Sequence, residues 1–299
     1  MSFIPNKKSL FLIFCCLVAL LYFMFLREER KPLPLVEGNP MSLIYVFASS
    51  KSDGERLASL LSQSESSPSV WRRGRVGVNE VALFVTGIGP KPAGSKAVST
   101  LQSFGTPGNP LRRPDVVVVA GTCGSLSRTI NEGNVILYSG CLSTSKTNRV
   151  NCTVSIAKHL KNRLSARGFL CRSTLGISSA RVATSKAEKL ELAKSGAEVV
   201  DMESHEIVAA ASQAGLPVVV IRVVSDSLDR LIPDFNVILR ENGEIDPINL
   251  LKLGIRSPIL TSTTLAAIHR AIGKLRSALA IVLSDESFSK LTVEVTSPS

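Results

Sequence analysis

The side chains with the most chemical potential fall in one passage. Asp201-Met202-Glu203 opens a helical run, and the apolar run Val218-Val219-Val220-Ile221 that follows ends in Ser225-Asp226. Carboxyl groups at such places can work as general acids or bases when burial tunes them. Acids at a helix start and Asp after a strand are also ordinary dipole complements and turn formers. Two glycine turns come earlier. Thr86-Gly87-Ile88-Gly89-Pro90 would let backbone amides approach an oxygen-rich ligand at a helix start. Gly121-Thr122-Cys123-Gly124-Ser125 is small and polar where a buried strand ends, which suits phosphate or ribose. It is no Walker loop, because no Gly-Lys-Ser/Thr follows, and Cys123 has no evident partner for nucleophilic catalysis. The turn Ala48-Ser-Ser-Lys-Ser-Asp-Gly-Glu55 adds two acids, Asp53 and Glu55, and Lys51. His205 follows Glu203 by two positions on a helix, so the two share no face and His205 reads as structural. His159 and His269 form no metal set with it, and no metal or other cofactor is expected.

The elements that must position these residues alternate between short β-branched runs and helical stretches, the pattern of a mixed, mainly parallel α/β sheet covered by helices. Strands are expected at Leu43–Ala48, Val81–Thr86, Asp115–Ala120, Asn134–Tyr138 and Pro217–Val224. Helices are expected at Gly54–Ser62, Pro92–Phe104, Val154–Arg167, Lys186–Ser195 and Ser204–Ala214, with Ser257–Leu283 as a closing helical hairpin. The continuous runs Val116–Val119 and Val218–Ile221 are those of strands buried on both faces. Ligands in such sheets collect at the carboxyl ends of strands, where the three informative turns lie.

In that order, a Gly-Ile-Gly turn, a Gly-Thr-x-Gly turn, an Asp-Met-Glu-Ser helix start and a Ser-Asp strand end resemble the purine and uridine phosphorylase family, which includes methylthioadenosine and adenosylhomocysteine nucleosidases. The resemblance covers roughly residues 43–283. Val200-Asp-Met-Glu-Ser204, Ala214-Gly-Leu-Pro217, Pro233 and the closing hairpin look most like the hopanoid-associated branch, which acts on a lipid-linked adenosine. The resemblance implies cleavage of the N-glycosidic bond of a purine nucleoside. It assigns Asp226 to the purine N7 as general acid with a pKa raised by burial, Ser225 to orienting Asp226, Glu203 to the ribose hydroxyls and Met202 to the sugar face. Glu55 enters the catalytic set as base, with Asp53 as the alternative, and Gly87 and Thr122 join Lys51 and Thr86 as candidates for an anion or water site. Water and phosphate both stay open as nucleophile. The phosphorylase arginine before the Gly-Ser/Thr turn is missing, since Val119 and Ala120 stand there, and this favours water. The resemblance also implies a homo-oligomer.

The chain of 299 residues divides into a flank at 1–8, an apolar run at 9–26, a linker at 27–41, a nucleoside phosphorylase-like domain at 42–285 and a tail at 286–299. Ser9 to Leu26 carries no charge over about the length that spans a hydrocarbon core of roughly 30 Å, which predicts one transmembrane helix. Arg27-Glu-Glu-Arg-Lys31 offers no signal-cleavage site. Lys7 and Lys8 precede the run and Arg27, Arg30 and Lys31 follow it, an excess that places the domain on the cytoplasmic side. Net charge is +11; removing residues 1–41 takes away five bases and three acids and leaves +9. With few aromatics and no long basic block, this charge suits acidic lipid headgroups better than nucleic acid. The competing reading is an inactive nucleoside- or headgroup-binding module at the membrane.

Overall fold

The computed structural model describes residues 41–67, 70–102, 104 and 111–288. The apolar run at 9–26 lies outside the described residues, and among these no helix is long and apolar enough to cross a membrane.

Among the described residues ten strands form one sheet: β1 (Leu43–Ala48), β2 (Ser62–Glu65), β3 (Arg72–Val76), β4 (Asn79–Val85), β5 (Val116–Ser125), β6 (Val135–Ser143), β7 (Val150–Asn151), β8 (Cys171–Ser178), β9 (Val199–Asp201) and β10 (Val218–Asp226). The helices are α1 (Lys51–Ala58), α2 (Pro90–Leu101), α3 (Val154–Ala166), α4 (Lys186–Ala193), α5 (Ser204–Gln213), α6 (Pro247–Arg256) and α7 (Pro258–Leu283), with a short 3₁₀ turn at Phe235–Ile238. The strand order is β10-β6-β8-β9-β5-β1-β4-β3-β2, and β10 also pairs with β5, closing five strands into a ring. The sheet is mixed rather than mainly parallel. β1–β4, β1–β5, β5–β10, β6–β8 and β8–β9 are parallel. β2–β3, β3–β4, β5–β9, β6–β7 and β6–β10 are antiparallel.

Period-two alternation explains the layers. Ile44, Val46, Val116, Val118, Val219 and Ile221 face one core with α3 and α7, while Tyr45, Phe47, Val117, Val119, Val218 and Val220 face a second core with α2 and α5. The apolar runs are therefore buried on both faces, as two-sided strands must be.

The expected turn at Gly121–Ser125 and the expected closing hairpin are both corrected. β5 runs on through Gly121–Ser125, because its end is paired with β10 on one side and β9 on the other, so the supposed polar turn is a strand. Ser257–Leu283 is no hairpin. Pro258–Leu283 is one continuous helix, and the break falls at Ser257, where Pro258 begins α7 as α6 ends.

Candidate active site

The carboxyl ends of β1, β5 and β10 open into a cavity of about 260 Å³. This lies near the low end of small-ligand sites, about 300–1,000 Å³. Its polar part is lined by Ser49, Asp53, Thr122, Glu203, Arg222 and Asp226, with Met202 and Ser225 beside them. Apolar lining comes from Phe235 and Ile238 of the 3₁₀ turn, Leu239 just after it, Leu250 of α6, and Leu265 and Ile268 of α7, which also brings Thr264 and His269.

Arg222 organises the polar part. It sits in β10, 2% exposed, between two buried acids. Its Nη2 donates to Glu203 Oε2 at 3.1 Å and to Ser204 Oγ at 2.9 Å, and its Nε lies 3.5 Å from Asp201 Oδ2. One guanidinium cannot fully compensate two carboxylates in a medium without water. Burial opposes the charge on Asp201, but Arg222 and the hydrogen bonds from Ser178 and Ser204 outweigh it and hold this acid below its ordinary value. At Glu203, burial and the Asp201 charge win over Arg222, and the carboxyl is pushed up. Asp201 also does a helix cap's work for α5. Its Oδ1 accepts from the amides of Glu203 and Ser204, each at 3.0 Å, so the Glu203 side chain is free to turn to the cavity.

The glycines of the second motif now have a physical reason. In the β5–β10 register Gly121 is opposite Arg222, and Gly124 is opposite Asp226. A Cβ on Gly121 would lie 2.1 Å from Arg222 Nη1, and one on Gly124 would lie 2.9 Å from Asp226 Oδ2. These glycines make room for the site's side chains on the neighbouring strand. In the first motif, the amide of Gly89 donates to Glu203 Oε1 at 3.1 Å, tying the Gly-Ile-Gly turn to the α5 start.

Asp226 is held from two sides. Ser225 Oγ donates to its Oδ1 at 2.7 Å, and Lys189 Nζ in α4 lies 2.5 Å from its Oδ2. Lys189 is fully buried and also donates to Ser227 O at 2.7 Å.

The first-turn acids separate. Asp53 lines the cavity, accepts at 3.2 Å from Ser49 Oγ, and its carboxyl is pushed above the ordinary range by burial, with the Ser50 and Ser49 hydrogen bonds opposing. Glu55, expected in the catalytic set, is exposed, lies away from the cavity and pairs with Arg72 at 3.2 Å. The helix begins at Lys51 rather than Gly54, so Asp53 and Glu55 sit two positions apart on it and cannot share a face.

Three further expectations are corrected. Gly87 does not line the cavity; its φ of +89° serves the turn, and a Cβ there would lie 2.7 Å from Asn242 O. Thr86 is buried with its hydroxyl donating to Gly87 O at 2.8 Å, and Lys51 is exposed and paired with Glu244 at 3.0 Å. Thr122, Met202, Glu203, Ser225 and Asp226 are brought together at the cavity. His205 is fully buried, its Nε2 3.0 Å from Asn148 O. Burial pushes the Cys123 thiol up, away from the thiolate a nucleophile needs.

Sequence reasoning missed Arg222 and Lys189. Each is a lone base inside an otherwise apolar or helical run. The signal for Arg222 was there: an arginine in a strand buried on both faces must have buried acids beside it.

Residues 51–244 match the phosphorylase superfamily. No curated protein matches the sequence significantly. Solved structures share the fold. A futalosine hydrolase mutant of Helicobacter pylori is 13% identical with a TM-score of 0.61, covering 81% of this chain and 98% of that one. An S-adenosylhomocysteine nucleosidase from Streptococcus pyogenes, in complex with 5-methylthiotubericidin, is 16% identical with a TM-score of 0.62, covering 83% and 98%. A 5′-methylthioadenosine/S-adenosylhomocysteine nucleosidase from Neisseria meningitidis, in complex with methylthio-immucillin-A, is 18% identical with a TM-score of 0.57, covering 78% and 98%. The superfamily match takes in the Gly-Ile-Gly turn, the β5 glycines, Glu203 and Asp226 over more than half of the sequence, and on that ground the chain belongs to the phosphorylase superfamily.

Proposed function

We propose that the protein cleaves the N-glycosidic bond of an adenine-type nucleoside, with water as nucleophile. The observation that carries this is the convergence of Asp53, Glu203 and Asp226 on one cavity that also has apolar lining. The base sits against Asp226 and Ser225, the ribose hydroxyls donate to Glu203, and Met202 packs on the sugar face. As the C1′–N9 bond lengthens, positive charge grows on the ribose and negative charge on the base. Glu203 and Asp53 stabilise the first, and a proton delivered by Asp226 to N7 neutralises the second. Asp53 takes the proton of the attacking water, for which a carboxyl with a raised pKa is suited.

Phosphate fits this site less well. Asp53 would repel it, Arg222 is already engaged by Asp201 and Glu203, and Arg56, the other arginine at the cavity, is bonded to His269 at 2.6 Å. The apolar lining by Phe235, Ile238, Leu250 and Ile268 supports a substrate with an apolar 5′ group, which includes a lipid-linked adenosine. The structures similar in fold that hold methylthio-substituted ligands point the same way. Residues 9–26 are proposed to anchor the chain in a membrane with the domain on the cytoplasmic side. Self-association is proposed as well, supported by Ile248, Ile255 and Ile259, which are exposed by 63%, 57% and 78% on elements that also line the cavity.

The test is release of free adenine from adenosine, methylthioadenosine and a lipid-linked adenosine, with and without phosphate, by the wild-type chain and by Asp226→Asn. Release without phosphate that is lost in Asp226→Asn is expected. A phosphate requirement would reverse the choice of nucleophile. No release by a folded chain that still binds adenosine overturns the enzyme reading in favour of a binding module.

A further inference from the structure

Lys189 is the one fully buried lysine among the described residues, and nothing in its own helix explains it. α4 is a short helix with a complete capping box, Ser185 with Glu188, and its remaining charged side chains, Lys186, Glu188 and Glu191, stay exposed. Burying an ammonium is costly unless it is paired and hydrogen-bonded. Here it is both: Nζ contacts Asp226 Oδ2 at 2.5 Å and Ser227 O at 2.7 Å, and lies 3.5 Å from Arg230 O. Asp226 borders the cavity, but Lys189 does not, so the lysine can reach a bound ligand only through the carboxyl group.

Lys189 donates to Asp226 Oδ2, and the one proton of the Ser225 hydroxyl has two acceptors in reach, Asp226 Oδ1 at 2.7 Å and Cys123 O at 3.2 Å. An acid that works on N7 must have a proton to give, and Asp226 touches a cation that carries one. The nearest N–H donor positioned to supply the proton is the Lys189 ammonium.

We propose that Lys189 and Asp226 form a single acid, with Lys189 as the positioning residue and proton store behind Asp226. This rests on the proposed nucleoside cleavage. As the C1′–N9 bond breaks, its electron pair stays with the base. A proton passes from Lys189 Nζ to the carboxylate, and the carboxyl group passes one to N7. The attacking water gives its proton to Asp53 and its oxygen to C1′. The site is then left with a neutral purine hydrogenated at N7, a neutral Lys189 amine and a protonated Asp53, and exchange with solvent resets both residues. Net charge is conserved at each stage, and no oxidant, reductant or further co-reactant is involved.

The experiment measures adenine release and binding of a non-cleavable adenosine analogue by the full chain and by Lys189→Met, Lys189→Arg, Asp226→Asn and Lys189→Met with Asp226→Asn, each checked for folding by circular dichroism and thermal melting. The double variant removes both charges together and guards against a single variant that fails only because it strands a buried carboxylate. Lys189→Met is expected to lower kcat at least about 100-fold, within the range for loss of a general acid, while the analogue's Kd changes less than about threefold. Lys189→Arg keeps a cation but cannot surrender a proton, so it is expected to bind the analogue like the wild type while recovering less than about threefold of the lost kcat. The double variant is expected to be no slower than Asp226→Asn alone, because two parts of one acid cannot be lost twice. A Lys189→Met enzyme with kcat within about threefold of wild type overturns the proposal. So does a loss of kcat matched by an equal loss of analogue binding, which would make Lys189 a purely structural support, or full recovery of kcat in Lys189→Arg, which would make it a fixed cation and no proton store. A wild-type chain that binds the analogue but releases no base from any nucleoside overturns the cleavage reading itself, and that result is distinct from either outcome for Lys189.

Discussion

At the scale of single residues, the site is a problem of two buried acids and one guanidinium. Replacing Arg222 by Met would leave Asp201 and Glu203, 5% and 4% exposed, without their shared cation. Breaking a buried pair by removing one partner costs about 3–5 kcal/mol, which for a domain of this size lowers Tm by roughly 6–20 °C. Thermal unfolding of Arg222→Met measures this; a shift within about 2 °C would show that the cluster is wetter than its burial implies. A second consequence concerns pH. The Asp53 carboxyl is raised above the ordinary aspartate value by burial. A base must be ionised to act, so activity rises as pH climbs through the raised value and falls below it. The acid limb of kcat/KM is therefore expected above the range of an ordinary aspartate. Asp53→Asn should remove that limb with at least about a 100-fold loss of rate, whereas Glu55→Gln, at an exposed ion pair, should stay within about twofold. A pH profile of both variants checks the assignment, and an unchanged limb in Asp53→Asn would reject it.

At the scale of elements, catalytic reach depends on how helices start. α4 carries Lys189, and its register is fixed by a capping box in which Ser185 Oγ accepts from the Glu188 amide at 3.3 Å while Glu188 Oε2 accepts from the Ser185 amide at 3.0 Å. Ser185→Ala should cost about 1 kcal/mol of stability, in the range for a lost N-cap, or roughly 2–4 °C in Tm. Because Lys189 is one turn further on, the same change should lower kcat more than it lowers analogue binding; equal losses would separate the cap from the acid. Elements also set what was legible in the sequence. β1 and α3 were read almost to the residue, since a short continuous apolar run marks the first and a period-3.6 pattern the second. β8 and β9 were missed. Cys171–Ser178 mixes polar and apolar residues, and Val199–Asp201 is three residues long. Gly121–Ser125 reads as a turn from composition and is a strand because β9 and β10 pair with it, a long-range effect that no local window contains. Asp226 and Glu203 were found because their neighbours form compact motifs. Lys189 was not, because its partner lies 37 positions away and only the fold joins them.

At the scale of the whole molecule, what remains is how the domain meets its surroundings. β1 ends at the cavity, where Ser49 lines it, so Leu43, at the strand's start, lies about 20 Å away toward the opposite end of the sheet. Residues 27–40, at about 3.3–3.6 Å each, reach at most about 50 Å, which is long enough for a chain anchored through residues 9–26 to turn its cavity toward the membrane. Flotation separates the two ends of this arrangement. The full chain is expected to rise with lipid vesicles and to stay with them in high salt, because an apolar helix is held by hydrocarbon, whereas basic residues act through a field that salt screens. A chain beginning at Met41 keeps the +9 charge and should bind only anionic vesicles at low salt. On this shorter chain, light scattering also tests self-association. Ile248 and Ile255 are one face of α6, exposed, and Lys252 and Arg256 flank them without an acid in the helix. If a second copy covers that face, Ile248→Glu with Ile255→Glu should convert an oligomer to a monomer while leaving the melting temperature within a few degrees, because neither side chain is in the core. A monomeric mass already in the unsubstituted chain would remove the argument for a protein partner there, and salt-resistant binding of the short chain to neutral vesicles would show instead that lipid occupies the face.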